Sequence, residues 1–102
     1  MSKIANTPKP PYYAVIFTSV RTEGDNGYAE AAKRILEMAR QQPGFLGYET
    51  ARQDIGISVS YWESPEAIQA WKAHPEHRKV QEMEAMWYGE SRIRVSKVER
   101  DY

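Results

Sequence analysis

The sequence predicts an α+β fold in which a four-stranded antiparallel sheet carries its helices on one face. Alternating apolar residues indicate four strands, and apolar residues spaced three and four apart indicate the helices. The elements follow the order strand, helix, strand, strand, helix, strand, which is that of the ferredoxin-like βαββαβ arrangement. A chain of 102 residues is long enough for one such domain and too short for two.

The first strand and the first helix are the most clearly patterned elements. The strand is predicted over 12–21, where both faces carry large apolar side chains, as in a strand covered on both sides. A polar, glycine-containing segment ends it, and Asp25 or Asn26 can cap a helix predicted over 28–42. The Pro-Gly pair that follows ends this helix.

The second half of the chain is predicted as a hairpin, an interrupted helix and a last strand. Ser64 as a cap and Pro65 in the first turn are strong signals for a helix start. The predicted elements are strands at 45–53, 57–63 and 91–100 and a helix from 65 to about 88 that Pro75 interrupts.

The predicted sheet leaves one face without helices. Because the first strand is apolar on both faces, we expect a homodimer that closes sheet on sheet into a dimeric α+β barrel, the alternative being a monomer with one wetted face. Residues 1–11 hold three of the six prolines and few apolar residues, which predicts a flexible Pro-rich tail before a single domain over 12–102.

Charge and composition exclude several classes of function. Fourteen Lys and Arg balance fourteen Asp and Glu, whereas proteins that grip nucleic acid usually carry a basic excess. Without cysteine the chain has no disulfide, thiolate metal site or Cys nucleophile. No apolar run approaches the roughly 20 residues that span a bilayer. We therefore expect a cytoplasmic protein without nucleic-acid or membrane partners.

His77 is the strongest candidate for proton transfer. On a helix it shares one face with Val80 and Trp87, which turns the imidazole toward the apolar side. A half-buried imidazole that titrates near neutral pH can act as a proton acceptor. The alternative is a structural histidine hydrogen-bonded to the backbone.

The pair His74 and His77 invites a metal interpretation with a nearby glutamate. Pro75 lies between them and argues against one continuous helix presenting both rings on the same side. We therefore expect no metal site.

Aromatic residues suggest a ligand cavity between the sheet and the helices, roofed by indole rings, with the imidazole projecting into it. Planar rings favour a flat guest, and a small hydroxyl at Ser58 leaves room beside Trp62. The alternative is that these side chains simply fill the core. The predicted substrate-binding residues are Trp71, Trp87, Ser58, Phe17 and Tyr61.

Two segments of the sequence resemble the antibiotic biosynthesis monooxygenase family of small dimeric α+β barrel proteins. One is Tyr-Trp-Glu-Ser-Pro-Glu-Ala-Ile at 61–68, followed by Trp71, Lys72 and His77, and the other is Gln-Pro-Gly-Phe-Leu-Gly at 42–47. The resemblance covers about residues 12–100. The family includes cofactor-free oxygenases of polycyclic phenols, haem-degrading monooxygenases and quinol monooxygenases.

The resemblance implies an oxidoreductase, and the matching residues favour the branch without a cofactor. Trp62 resembles the tryptophan of the polyketide-oxidising branch, although Ser58 and Ile68 replace that branch's Asn and Tyr. Trp71 resembles the tryptophan that abuts haem in the haem-degrading branch, but Gln81 stands where the axial histidine is expected. Haem is therefore disfavoured.

The interpretation that remains is a cofactor-independent monooxygenase in which His77 and Trp62 are catalytic. His77 would take a phenolic proton from an aromatic or quinol-type substrate, which then reacts with dioxygen. The other possibilities are a dimer that binds an aromatic ligand without catalysis, and a haem binder that uses His77.

Overall fold

A computed structural model, which describes residues 3–102, confirms the ferredoxin-like fold. One four-stranded antiparallel sheet has the strand order β2-β3-β1-β4. The elements are β1 (Tyr12–Arg21), α1 (Tyr28–Ala39), β2 (Phe45–Arg52), β3 (Gly56–Trp62), α2 (Pro65–Lys72), α3 (Pro75–Glu82), α4 (Glu84–Trp87) and β4 (Tyr88–Val98).

The predicted helix from 65 to 88 is three helices. Pro75 starts α3 as expected, and Met83, which lies outside both helices, separates α3 from α4. The last strand begins at Tyr88, earlier than predicted, because Tyr88 pairs with Arg21 across an irregularity in the β1–β4 ladder.

The strand register separates two sides of the sheet. Val15 lies opposite Ser60 and packs under the helices, so we call its side the helix side. The neighbouring pair, Ala14 and Tyr61, points the other way, to the open side. Every second residue of each regular stretch of strand therefore belongs to the same side.

The core lies on the helix side at the end of β3. Trp62 is 1% exposed and packs with Trp71 and Ala39, the last residue of α1. Phe45 meets the Trp62 ring edge-on at 5.3 Å. Tryptophans at the ends of two elements thus join the sheet to α1 and α2.

Side-chain oxygens before α1 and α2 accept hydrogen bonds from amides in the first turns of these helices. The Ala67 amide donates to the Ser64 hydroxyl at 3.1 Å, with Pro65 in the first turn of α2. The N-cap of α1 is Gly27 and not the predicted Asp25 or Asn26, but the Ala29 amide donates to the Asp25 carboxylate at 3.0 Å. Each of these bonds satisfies an amide that the helix itself leaves without a partner.

The segment before β1 contacts the open side. The Ala5 amide donates to the Glu49 carboxylate at 2.9 Å, and the Thr7 hydroxyl donates to the Tyr12 hydroxyl at 2.9 Å. Tyr12 in turn donates to Asp101 at 2.6 Å. The predicted flexibility of 1–11 stays a prediction, and its first two residues lie outside the described part of the chain.

The longest helix in residues 3–102 has 12 residues, and none of the helices there combines the length and apolar character needed to cross a membrane.

Candidate functional site

Three rings from three elements form a stack, which we call the indole–imidazole stack. Trp62 ends β3, Trp71 lies on α2 and His77 lies on α3. The two indoles are 6.4 Å apart at 24°, and the imidazole lies 4.6 Å from Trp71 at 13°. The Trp62 indole N–H donates to the Ser60 hydroxyl at 2.9 Å. The stack therefore holds the imidazole flat against the edge of the core.

Hydrogen bonding determines which nitrogen of His77 can accept a proton. Its Nδ1 lies 3.2 Å from the carbonyl oxygen of Trp71. Because a carbonyl only accepts, Nδ1 carries the hydrogen and Nε2 keeps its lone pair in the neutral ring. Burial lowers the pKa of His77, and the carbonyl only partly opposes that effect. His77 is therefore neutral at pH 7 and can accept a proton at Nε2.

The second histidine has a structural contact instead. The Glu76 amide donates to His74 Nδ1 at 3.2 Å, so the ring caps α3. Its lone pair is already used by the helix. Within the described chain, no three His, Cys, Asp or Glu side chains are grouped so that they could hold a metal ion.

Four further aromatic rings form the tyrosine cluster, which consists of Phe17, Tyr28, Trp87 and Tyr88. Tyr88 meets Phe17 at 5.1 Å and Tyr28 at 5.7 Å, both edge-on. Trp87 is 3% exposed, and its indole N–H donates to the Asn26 carbonyl at 2.9 Å. This contact ties the turn before α1 to the end of α4.

Small hydroxyl groups lie between the stack and the cluster. Ser60 and Ser58 precede Trp62 by two and four residues, so they lie on the same helix side of β3. Ser58 lies opposite Phe17. The Ser58 hydroxyl accepts from the Tyr48 hydroxyl at 3.2 Å and lies 2.9 Å from the Thr50 hydroxyl. We call the side chains of Tyr48, Thr50 and Ser58 the hydroxyl row. The predicted residues Phe17, Ser58 and Trp62 therefore border one stretch of the sheet.

Tyr61 does not share this site. It lies on the open side, where its hydroxyl donates to Glu49 at 2.7 Å and its ring meets Tyr12 at 5.7 Å. Adjacent residues of a strand face opposite ways, so Tyr61 and Trp62 cannot line the same cavity. Burial, followed by the bond to Glu49, raises the pKa of Tyr61 to about 12.

The structure has its open space at a different place from the cavity that the sequence predicts. The indoles of Trp62 and Trp71 pack against Ala39 and fill the region that was expected to be hollow. A groove of about 450 Å³ lies instead between α1 and α3, and Trp87 lines it together with Val80, one turn beyond His77.

The helices also leave part of the sheet uncovered on their own side. Ile93 and Val95 of β4 lie opposite Phe17 and Val15, yet 53% and 57% of their surfaces are exposed. An apolar strip therefore lies on the other side of β1 from the hydroxyl row. Exposed apolar surface of this kind commonly contacts a ligand or another protein.

Three residues of this region, Tyr28, Tyr48 and Arg52, were not predicted as site residues. They contact the predicted site residues or lie beside them. Alternation along β2 places Tyr48 and Thr50 on one side, so the hydroxyl row carried a sequence signal. Tyr28 carried none beyond its place in the apolar face of α1.

Comparisons with known proteins agree with this architecture. The family model described as antibiotic biosynthesis monooxygenase matches residues 11–83. The uncharacterized protein YqjZ of Bacillus subtilis (strain 168) is 48% identical over 103 residues, which cover 98% of this chain and 90% of YqjZ.

Two solved structures share the fold at low sequence identity. A mutant form of SnoaB, a cofactor-independent oxygenase from Streptomyces nogalater, matches with a TM-score of 0.78 at 12% identity, covering 88% of this chain and 95% of SnoaB. PA3566 from Pseudomonas aeruginosa matches with a TM-score of 0.73 at 10% identity, covering 93% and 99% of the two chains.

Proposed function

Since this chain belongs to the antibiotic biosynthesis monooxygenase family, we propose that it is a small cofactor-independent monooxygenase that oxidises an aromatic or quinol-type substrate with dioxygen. One observation carries the proposal: His77 is stacked on Trp71 with Nδ1 bound to a backbone carbonyl. An imidazole held in this way presents Nε2 as a base at neutral pH. The fold shared with SnoaB, a cofactor-independent oxygenase, supports the same reaction class.

The proposed reaction needs no external reductant. His77 Nε2 takes a phenolic proton, and the resulting anion gives one electron to dioxygen. The substrate radical and superoxide then combine into a hydroperoxide after proton return from His77. Loss of water from the hydroperoxide leaves a quinone carbonyl, so one oxygen atom enters the product and the other becomes water.

The substrate ring belongs, in this proposal, on the helix side near the strip formed by Ile93 and Val95. Ser58 would position the oxygen of the ring, whereas Trp62, which is 1% exposed and bonded to Ser60, would act from below by fixing the stack that holds His77. Once the ring covers this strip, the two apolar side chains keep water from that face of the radical pair.

A homodimer through the open side is part of the proposal. The monomer exposes 7456 Å², whereas a compact protein of this size exposes about 5,900 Å². The excess exceeds the roughly 800 Å² that each partner buries in an ordinary interface. We also propose a cytoplasmic location, since a reducing compartment keeps a quinol in its reactive reduced form.

Oxygen uptake with a panel of hydroquinones and anthrones tests the catalytic proposal. His77→Ala should lower kcat/KM about 100-fold or more, the usual contribution of a general base. His74→Asn is the matched control, because asparagine also caps a helix and should leave activity unchanged. The proposal fails if no substrate is consumed faster than in buffer, or if His77→Ala has wild-type activity.

The groove lined by Trp87 favours a second candidate, a dimer that binds an aromatic ligand without oxidising it. The groove borders α3 on the side of Val80, and Trp62 and Trp71 are packed as core residues. Quenching of tryptophan fluorescence without oxygen uptake would support this second candidate.

Adding haem to the protein tests the third possibility, a haem binder. A Soret shift that His77→Ala abolishes would identify it.

A further inference from the structure

Arg52, the last residue of β2, is held in a defined position on the helix side. Its Nη2 donates to the Ser19 hydroxyl at 2.6 Å and its Nη1 to the Ser19 carbonyl at 3.3 Å. Ser19 is 2% exposed, so the anchor is buried. The guanidinium lies over Gly56, where any side chain would collide with it. Because Gly56 has no side chain and the buried Ser19 accepts two hydrogen bonds, the flexible side chain of Arg52 is held against the sheet.

A second guanidinium lies at the same end of the sheet. Arg21 follows Ser19 by two residues, stacks 3.6 Å from the centre of the Tyr28 ring, and donates to the Trp87 carbonyl at 2.9 Å. Neither arginine forms an ion pair with a carboxylate in residues 3–102, where the pair observed is Lys79 with Glu76. Two uncompensated positive charges are thus concentrated at one place in a chain of zero net charge.

These charges adjoin the proposed substrate site. Arg52 lies two residues beyond Thr50 on the helix side of β2, and Gly56 lies two residues before Ser58 on β3. Two residues along a strand span about 6.6 Å. Both arginines also lie close enough to Tyr88 to oppose the rise in its pKa that burial and a hydrogen bond to Tyr28 cause. The two guanidinium groups therefore favour an anion at this end of the sheet.

We propose that Arg52 is a specificity-determining residue that binds a carboxylate substituent of the aromatic substrate. Two of its N–H groups are used by Ser19, and the planar guanidinium still has others that match a carboxylate. The aromatic ring then extends from Arg52 over Ser58 and Phe17 toward the strip formed by Ile93 and Val95. This inference rests on the proposed function, because it names the substrate class of the same site.

The test measures binding without turnover. The probes are 2,5-dimethoxybenzoate and 1,4-dimethoxybenzene, quinol ethers that lack the phenolic proton, and binding is followed by NMR titration. Wild type should prefer the carboxylate at least ~10-fold, as a charge-assisted hydrogen bond predicts. The preference should fall to about twofold or less in Arg52→Gln. It should fall similarly in Gly56→Ala, which keeps the charge but displaces the guanidinium.

Arg40→Gln is the control, because Arg40 is an exposed cation just after α1. Equal affinity of wild type for both probes overturns the inference, and so does an equal loss of preference in Arg40→Gln. The inference is also overturned if Arg52→Gln and Gly56→Ala weaken the binding of both probes to the same extent. The binding result is independent of oxygen uptake, so a selective carboxylate site without oxidation would refute the proposed function alone.

Discussion

The two histidines of this chain use the same ring atom in opposite ways. Nδ1 of His74 accepts the Glu76 amide, whereas Nδ1 of His77 donates to the Trp71 carbonyl. The first contact caps a helix, and the second leaves Nε2 of a neutral ring available as a base. The sequence was compatible with both descriptions of His77, a base and a structural residue. The geometry combines them, since the backbone bond is what orients the base.

The lowered pKa of His77 predicts how stability depends on pH. The unfolded chain binds a proton near pH 6.5, while the folded chain resists it because burial disfavours the imidazolium. Between the two pKa values the unfolded state holds more protons, so stability falls as pH decreases through 6.5. Urea unfolding should show a smaller loss between pH 7 and 5 in His77→Gln than in wild type. An equal loss in both proteins would contradict the assignment.

At the level of elements, local sequence signals predicted where most helices and strands begin. β1 is found at the predicted residues, and the Ser64 cap starts α2. These signals act within a few residues of one another, which is why they can be interpreted from sequence. The break at Met83 carries no Pro or Gly, and it was not predicted.

Gly44 joins the first half of the domain to the second. Its φ is 86°, and a Cβ at this position would lie 2.6 Å from the Cβ of Ala67 on α2. Gly44→Ala should therefore destabilise the fold by at least about 1 kcal/mol, from backbone strain and the clash. Gly89→Ala is the matched control, with ordinary φ and open space, and should change stability by less than about 0.5 kcal/mol. Thermal or urea unfolding would show the difference, and equal midpoints would contradict it.

For the whole molecule, the sheet separates two surfaces with different proposed uses. Ile57 is 46% exposed on the open side, and Ile93 is 53% exposed on the helix side. We assign the first to a second copy of the chain and the second to the ligand. The homodimer and the single cavity were both predicted from sequence. The homodimer stays a prediction. The single aromatic cavity is not what the structure contains, because its aromatic residues form two separate groups, the indole–imidazole stack and the tyrosine cluster.

Matched substitutions on the two surfaces separate these uses. Ile57→Glu should convert a dimer into a monomer, since a charge buried without a partner costs more than an interface of this size tolerates. Ile93→Glu introduces the same charge at similar exposure on the other side and should leave the dimer intact. Light scattering coupled to size-exclusion chromatography measures both masses. A wild-type monomer, or dissociation by Ile93→Glu alone, would contradict the assignment.

By itself the sequence determined the order of elements and the capped helix starts, because alternation, caps and turns depend on neighbouring residues. Only the tertiary structure decided that His77 stacks on Trp71 and that Arg52 lies over Gly56 and bonds to Ser19. Those contacts depend on the rotamer each side chain adopts when helix and sheet pack together. No local pattern specifies that packing, so the chemistry of the site emerges with the fold.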